Sequence, residues 1–276
     1  MADRHPPRVM GIVNVTPDSF SDGGLFLDPR RAIEHGRELA AEGADLLDVG
    51  GESTRPGAEA VSAEEELSRV VPVVEGLTAG EVPVSIDTSK RAVAEAALNA
   101  GAGIVNDVTA LRGEPELAGL CAERDCEVVL MHMLGDPRTM QEDPVYDDVV
   151  DDVKAFLAER IDFATAEGID EERIWVDPGI GFGKTVEHNL ELLRNLGELA
   201  DLGRPVVVGT SRKSFIGKLT GAPVDRRLGG TIASSVIAFA NGAEVLRVHD
   251  VSPMCEALTV AEAVLDPNRA AAVADR

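Results

Sequence analysis

Short, continuous hydrophobic runs alternate along the chain with longer segments of helical period. The runs are rich in Val, Ile and Leu and lack polar alternation, which is typical of strands covered on both faces. We predict eight strands, over residues 9–15, 45–50, 82–88, 104–108, 127–133, 174–179, 205–211 and 244–251. The segments between them carry apolar residues at i, i+3 and i+4, and most end in Gly or Asn-Gly just before the next strand.

These intervening segments predict eight helices, over residues 29–43, 63–77, 90–101, 114–125, 149–168, 186–203, 229–242 and 253–266. Eight strand–helix units in about 270 residues favour an α/β fold, a single-domain (β/α)8 TIM barrel with its active site at the C-terminal strand ends. A doubly wound sheet needs fewer strands and a glycine-rich first turn, whereas the first turn here is NVTPDSFSDGG. We therefore expect a barrel over residues 9–266, with an N-terminal tail (1–8) and a C-terminal tail (267–276).

The composition excludes several classes of protein. The 276 residues include 26 Lys+Arg and 49 Asp+Glu, so the net charge is −23, which disfavours a nucleic-acid partner. No apolar run reaches the roughly 18 residues of a membrane span, and the N-terminus has no signal-peptide pattern, so we expect no membrane partner. The three cysteines are irregularly spaced, which favours free thiols in a reducing cytoplasm.

Nearly every predicted strand finishes in polar residues that follow Val, Ile or Leu. In a barrel, the C-terminal strand ends and the loops after them build the active site, so these polar groups should converge there. They are Asn14, Thr16, Asp48, Asp87, Asn106, Asp107, His132, Asp177, Ser211, Arg212, Lys213, Arg247, His249 and Asp250. Polar groups above an apolar stack predict a pocket for a buried polar ligand.

The converging residues divide into two chemical groups. The acceptor-rich group, suited to an amino-heterocycle edge, is Asp87, Asn106 and Asp177. The cationic group, suited to an anion, is Arg55, Lys213, Arg247 and His249. The residues alone thus predict a phosphorylated, nitrogen-rich heterocycle as ligand.

Several polar residues have a structural interpretation as well. Asp107 and Asp250 are equally compatible with N-caps of the helices that follow them. His132, between two methionines, fits a packed residue at the barrel top, and His188 fits a helix surface. No histidine pattern indicates a transition-metal site, whereas Mg²⁺ held by oxygen atoms and phosphate is a natural alternative.

Two predicted loops have the composition of lids. Loop 1, residues 16–28, contains Pro17, a Gly-Gly pair and Phe20 between polar residues. Loop 2, residues 50–58, contains two glycines followed by Pro and Gly. Such segments are typical of mobile loops that exclude water from a reactive intermediate.

Seven motifs together resemble the dihydropteroate synthase family, and the resemblance runs from residue 9 to about residue 266. In order they are VMGIVNVTPDSFSDGG, DVGGESTRPGA, SIDTSK, NDV, DPGIGFGKT, GTSRKSFIG and RVHDV. The resemblance implies condensation of 6-hydroxymethyl-7,8-dihydropterin diphosphate with 4-aminobenzoate, which gives 7,8-dihydropteroate and pyrophosphate for folate synthesis. It also implies Mg²⁺ as cofactor, a cytoplasmic homodimer and a target of sulfonamides.

The resemblance further implies roles for individual residues. The pterin would be bound by Asp87, Asn106, Met131, Asp177 and Lys213. The diphosphate would be held by Asn14, Arg247 and His249, with Asn14 and Asp22 as the Mg²⁺ ligands. The 4-aminobenzoate pocket would be closed by Phe20, Thr54, Arg55, Pro56, Gly181 and Phe182, and Ser214 would meet the carboxylate at a helix N-terminus.

These roles imply a dissociative, SN1-like substitution. The bond from carbon to diphosphate lengthens first, and the departing charge is stabilised by Mg²⁺, Arg55, Arg247 and His249. Asp87 and Asp177 offset the positive charge on the pterin, and Lys213 lies close to the reacting carbon. The aniline nitrogen needs little general-base help, so no Ser-His-Asp triad is expected.

Three other functions remain as alternatives. A methyltransferase that uses methyltetrahydrofolate explains Asp87, Asn106 and Asp177, but it has no use for Asp22 or the Ser-Arg-Lys cluster. A non-catalytic pterin-binding paralogue is disfavoured by the two loops and Lys213, and a fragment of a fused folate enzyme is disfavoured by the expected complete barrel without a second domain. A different phosphate-using barrel would remain if the motifs misled us. The helices over 229–242 and 253–265 carry apolar residues on more than one face, which fits a dimer interface or tight packing on the barrel.

Overall fold

Eight parallel strands follow one another around a barrel in the computed structural model, which describes residues 7–16, 28–53, 60–136 and 139–266. The strands are β1 (Arg8–Asn14), β2 (Leu46–Gly50), β3 (Val84–Asp87), β4 (Ile104–Asp107), β5 (Glu127–Met131), β6 (Ile174–Asp177), β7 (Val207–Val208) and β8 (Val245–Val248). They pair in the order β6-β5-β4-β3-β2-β1-β8-β7. A single parallel bridge between Val176 and Val206 brings β7 beside β6, so the sheet is a nearly closed barrel.

Helices cover the outside of this barrel. They are α1 (Pro29–Ala41), α2 (Ala63–Thr78), α3 (Arg91–Asn99), α4 (Glu116–Arg124), α5 (Val149–Ala166), α6 (Val186–Arg194), α7 (Gly197–Ala200), α8 (Ser214–Thr220), α9 (Leu228–Ala240) and α10 (Val251–Leu265). Short 3₁₀ turns at Glu171–Arg173 and Val224–Arg226 complete the regular structure. Among the described helices, none combines the length and the hydropathy needed to cross a membrane.

The predicted fold class and all eight strands are confirmed, but the strands end earlier than hydropathy indicates. The predicted strand 205–211 forms ladder hydrogen bonds only at Val207–Val208, since the chain then turns into the loop before α8. The predicted helix 186–203 is two helices, because Asn195 leaves helical dihedral angles and its side chain donates to the Glu191 carbonyl at 3.0 Å. The domain boundaries stay a prediction, because residues 1–6 and 267–276 lie outside the described residues.

Side chains that alternate along each strand fill the barrel in layers. The lower layer is apolar and contains Met10, Leu46, Ile104, Val129, Trp175, Val207 and Val245. Because successive side chains of a strand point to opposite faces, the residue two positions later points inward again, one layer higher. Four of these positions are polar: Asp48, Asn106, Asp177 and Arg247. The strand period therefore places a polar layer on an apolar floor.

The apolar floor should carry a measurable share of the stability. Ile104 is 1% exposed, so Ile104→Ala should lower the free energy of unfolding by about 2–5 kcal/mol, through lost transfer energy and a cavity. Trp175, the single tryptophan of the chain, lies in the same layer and reports the transition by fluorescence during urea unfolding. The control is Val145→Ala, at a site that is 69% exposed and should change stability by less than about 0.5 kcal/mol. Equal losses of unfolding free energy in Ile104→Ala and Val145→Ala would contradict this assignment of the core.

Candidate active site

Asp48 lies at the centre of the polar layer and is fully buried. Its Oδ2 accepts a hydrogen bond from Asn106 Nδ2 at 3.0 Å and another from Arg247 Nε at 2.6 Å. A second guanidinium nitrogen of Arg247 donates to Asp87 Oδ2 at 2.7 Å. Arg247 on β8 therefore bridges two carboxylates, Asp48 in the middle of β2 and Asp87 at the end of β3. The Asn106 amide, having donated to Asp48, keeps an acceptor oxygen on its other arm.

Burial controls the charges of this group. It raises the pKa of Asp87 to about 7, with Arg247 opposing the shift and Asp48 adding to it. Burial by itself would lower the pKa of Arg247, but Asp48 and Asp87 raise it above its usual value, so the guanidinium stays charged. The site thus holds a permanent cation beside a carboxyl that titrates near neutrality.

A second set of opposite charges, Asp177 and Lys213, lies on the other side of the barrel mouth. Asp177, at the end of β6, accepts a hydrogen bond from the Gly179 N–H at 2.6 Å. Burial raises the pKa of Asp177, whereas the positive charge of Lys213 acts in the opposite direction. Burial also lowers the pKa of Lys213 to about 8, although Asp177 partly offsets it. The Lys213 amine donates to the carbonyl of Ile180 and lies 4.4 Å from the centroid of the Phe182 ring.

In the loop between β6 and α6, each of four successive backbone carbonyls accepts a hydrogen bond from a different side chain. Lys213 binds Ile180 O, Gln141 Nε2 binds Gly181 O at 2.6 Å, Lys184 Nζ binds Phe182 O at 3.0 Å and the Tyr146 hydroxyl binds Gly183 O at 2.7 Å. The chain can follow this path because Gly179 adopts φ +66°. A Cβ on Gly179 would stand 1.8 Å from the His132 carbonyl oxygen. The DPGIGFGK motif therefore encodes a rigid backbone wall.

The ends of β7 and β8 form the remaining side of the mouth. The backbone N–H of His249 donates to Ser211 Oγ at 3.1 Å, and His249 Nδ1 lies 2.9 Å from the same oxygen. Arg212 binds both carboxylate oxygens of Asp250, at 3.0 and 2.6 Å. Ser214 begins α8, as expected.

Two structural interpretations of acidic residues are thereby tested. Asp250 stands at the N-cap position of α10, but its side chain makes no capping bond there and pairs with Arg212 instead. Asp107 does bind backbone, accepting from the N–H groups of Thr109 and Leu111, both at 2.7 Å. It stabilises the turn after β4 rather than the start of α4, whose N-cap is Pro115.

Most of the predicted site residues meet at this end of the barrel. The structure places there Asn14, Asp87, Asn106, Met131, Asp177, Gly181, Phe182, Lys213, Ser214, Arg247 and His249. The other five predicted residues lie outside the described residues: Phe20, Asp22, Thr54, Arg55 and Pro56. Most residues of the two predicted lids, loop 1 and loop 2, also lie outside the described residues.

Asp48 was expected at the barrel mouth without an individual role, whereas Gln141, Tyr146 and Lys184 were not among the predicted site residues. The two-residue step from Leu46 could have indicated that Asp48 points inward. No local pattern distinguishes Gln141, Tyr146 or Lys184, because three of their four contacts join residues 37 to 52 positions apart along the chain.

Comparison with known proteins agrees with this geometry. The family described as pterin binding enzyme matches residues 10–249. A dihydropteroate synthase of Escherichia coli (strain K12) is 48% identical over 264 residues, covering 95% of this chain and 93% of the relative.

Solved structures of such enzymes share the fold. A dihydropteroate synthase of Xanthomonas albilineans with 4-aminobenzoic acid is 53% identical, with a TM-score of 0.88 and coverage of 94% of this chain and 93% of that one. That of Yersinia pestis in a sulfonamide complex is 46% identical, with a TM-score of 0.90 and 94% coverage of both chains. The fold and site thus define a pterin-binding barrel. Within that class, the chain belongs to the dihydropteroate synthase family.

The glycine wall generates a direct test. Gly179→Ala forces a side chain into the left-handed region and onto the His132 carbonyl, so it should cost well over the roughly 1–2 kcal/mol of the conformation alone. The matched control is Gly203→Ala, where φ is +70° but a Cβ would meet no atom within 4 Å. Urea unfolding of both variants measures the difference. Equal losses would mean that the close approach to His132 does not constrain the loop.

Proposed function

We propose that this chain condenses 6-hydroxymethyl-7,8-dihydropterin diphosphate with 4-aminobenzoate, releasing pyrophosphate and forming 7,8-dihydropteroate. The observation that carries the proposal is the juxtaposition of two carboxylates, buried Asp177 and partly buried Asp87, with two cations, Arg247 and Lys213, at one barrel mouth. A carboxylate recognises adjacent N–H groups of a heterocycle, whereas the cations suit its diphosphate. The relatives support it, since dihydropteroate synthase from Xanthomonas albilineans has been solved with 4-aminobenzoic acid and with 7,8-dihydropteroate.

The pterin lies across the polar layer in this proposal. Asp177 accepts hydrogen bonds from the aminopyrimidine edge, Asn106 presents its acceptor oxygen, and Asp87 lies beside the other ring. Lys213 donates to pterin acceptors and stands near the reacting carbon, and Met131 provides an apolar contact. The charge-assisted bonds give both orientation and affinity, because the groups are held in place before the ligand arrives.

The protein promotes bond breaking by stabilising the charges that separate. The bond between the pterin methylene carbon and the diphosphate oxygen breaks heterolytically, and the electron pair leaves with pyrophosphate. Asp87 and Asp177 stabilise the cation that remains, while Arg247, His249 and Arg55 stabilise the departing anion. Arg247 keeps 21% of its side chain exposed, so its guanidinium also faces the mouth while it pairs with Asp48.

Attack by the aniline nitrogen completes the reaction. The nitrogen lone pair forms the new bond to carbon, and the nitrogen proton passes to solvent or to pyrophosphate. Gly181 and Phe182 form one wall for 4-aminobenzoate, and Ser214 at the start of α8 receives its carboxylate. Phe20, Thr54, Arg55 and Pro56 close the other side in this proposal.

We further propose Mg²⁺ as the cofactor, held by Asn14, Asp22 and diphosphate oxygens. Within the part of the chain that the structure describes, no group of three or more His, Cys, Asp or Glu side chains could hold a metal ion. Asn14, at the end of β1, offers a hard oxygen donor, and Mg²⁺ commonly takes only one or two protein ligands besides phosphate. Bound there, Mg²⁺ would neutralise charge on the leaving group.

The assembly and location are also proposals. We propose a homodimer, supported by exposed Ile237 on α9 and exposed Val260 and Val264 on α10. A monomer mass in light scattering at micromolar concentration would contradict it. We propose a cytoplasmic location, supported by three free cysteines, two of them buried; an oxidised, disulfide-linked form isolated from cells would contradict it.

Pyrophosphate release tests the reaction directly. The purified protein should release pyrophosphate only with pterin diphosphate, 4-aminobenzoate and Mg²⁺ together. Lys213→Ala should lose activity by roughly a hundredfold or more, because it removes a cation beside the reacting carbon.

Other results would point to other functions. Release without 4-aminobenzoate would indicate a hydrolase, and tight pterin binding without release would indicate a non-catalytic paralogue. Methyl transfer from methyltetrahydrofolate would support the methyltransferase.

The shifted pKa values of Asp87 and Lys213 predict a bell-shaped dependence of kcat/KM on pH. Asp87 acts as a carboxylate, so kcat/KM for pterin diphosphate should rise through about pH 7 as it ionises. Lys213 acts as a cation, so kcat/KM should fall through about pH 8 as it loses its proton. Asp87→Asn should remove the acidic limb and slow single turnover. An unchanged limb and an unchanged single-turnover rate would contradict the electrostatic role of Asp87.

A further inference from the structure

Lys184 is a buried lysine for which the proposed reaction has no direct use. It is 2% exposed, and its amine lies 2.8 Å from His132 Nδ1 and 3.0 Å from the carbonyl oxygen of Phe182. Removing an ammonium group from water costs several kcal/mol unless its partners compensate, and an apolar side chain would fill the same space without that cost. Burial alone therefore does not explain why a lysine stands at this position. The feature that distinguishes Lys184 is where its amine can form hydrogen bonds.

His132 forms one anchor for Lys184. Its ring packs edge-on against Phe156 at 4.8 Å, and its backbone N–H donates to the Asp177 carbonyl at 2.9 Å. Burial and the neighbouring Lys184 lower the pKa of His132 to about 2, so the imidazole is neutral. In the tautomer whose Nδ1 carries no proton, that nitrogen accepts a hydrogen bond from the lysine amine. The anchor is fixed on the same strand ends that carry the polar layer.

Phe182 is the element that Lys184 holds. Its carbonyl binds Lys184, while its ring lies 4.4 Å from the Lys213 amine and packs against a cluster of buried methionines. The methionines are Met131, Met133 and Met140. The carbonyls on either side of Phe182 are held in turn by Gln141 and Tyr146, from the segment between β5 and α5. A shift of this backbone would move the Phe182 ring and the contact with Lys213 together.

We propose that Lys184 is a positioning residue for the second substrate, with Tyr146 and Gln141 in supporting roles. Lys184 holds the Phe182 carbonyl against His132, and this fixes the Phe182 ring as a wall of the 4-aminobenzoate pocket. Lys184 acts through Phe182 and does not touch either substrate. The inference rests on the proposed function, because it assigns Phe182 to the 4-aminobenzoate pocket.

The test compares two substrates in one variant. Lys184→Met keeps the length of the side chain but removes the donor. Its KM for 4-aminobenzoate should rise by roughly tenfold or more, whereas the Kd for pterin diphosphate should change by less than about threefold. Steady-state pyrophosphate release and calorimetry measure the two quantities, and circular dichroism checks the fold. A merely structural role would impair both substrates alike.

A matched control removes a different buried basic side chain. Arg160 on α5 donates to the Ala110 carbonyl at 2.8 Å and has no part in the proposed site, so Arg160→Met should leave the ratio of the two constants unchanged. Tyr146→Phe removes only the hydroxyl that binds Gly183, and should raise the KM for 4-aminobenzoate by roughly two- to fivefold.

The outcomes separate the two proposals. Wild-type protein without release dependent on 4-aminobenzoate overturns the proposed function. An active wild type, with Lys184→Met unchanged or equally impaired toward both substrates, overturns the positioning role. If Lys184→Met does not fold, Tyr146→Phe decides, since an unchanged KM for 4-aminobenzoate in that variant overturns the role and a selective rise supports it.

Discussion

The need to compensate one fully buried carboxylate organises the catalytic end of this barrel. Asp48 points inward because it stands two residues beyond Leu46 in the apolar floor. An ionised carboxylate there would cost several kcal/mol without partners, and Asn106 and Arg247 supply charge-assisted hydrogen bonds to it. Since Arg247 also binds Asp87, a single network connects β2, β3, β4 and β8 and fixes the side chains that would receive the pterin.

On the opposite side of the barrel mouth, side-chain interactions connect β6 and β7, whose backbone pairing is limited. β7 has two residues, and its contact with β6 is the single bridge between Val176 and Val206. Lys213, just beyond β7, binds the Ile180 carbonyl beyond β6 and interacts electrostatically with Asp177. The side chains that would act on the reacting carbon thus also join the two strand ends. Lys184 extends the same connection to β5 through His132.

Much of this arrangement could be predicted from sequence, and the limits have a physical cause. Eight alternating strand and helix patterns indicated the barrel, and the polar residues at the strand ends indicated the acceptor and cationic groups. The pairing of Asp48 with Arg247 could not be predicted, because 199 positions separate them and only barrel closure brings them together. Local patterns also left the role of Asp250 open, since a capping bond competes there with the bidentate contact of Arg212. The roles of Asp22 and Arg55 stay predictions, as both residues lie outside the described ranges.

Calorimetric titration of Asp48→Asn with pterin diphosphate and Mg²⁺ tests the central claim most directly. If Asp48 fixes Arg247 and Asn106, binding should weaken by at least about tenfold, or about 1.4 kcal/mol, in a folded protein. Asp107→Asn is the control, because Asp107 is equally buried but serves only the turn after β4. An unchanged Kd in Asp48→Asn, or an equal loss in both variants, would contradict the account.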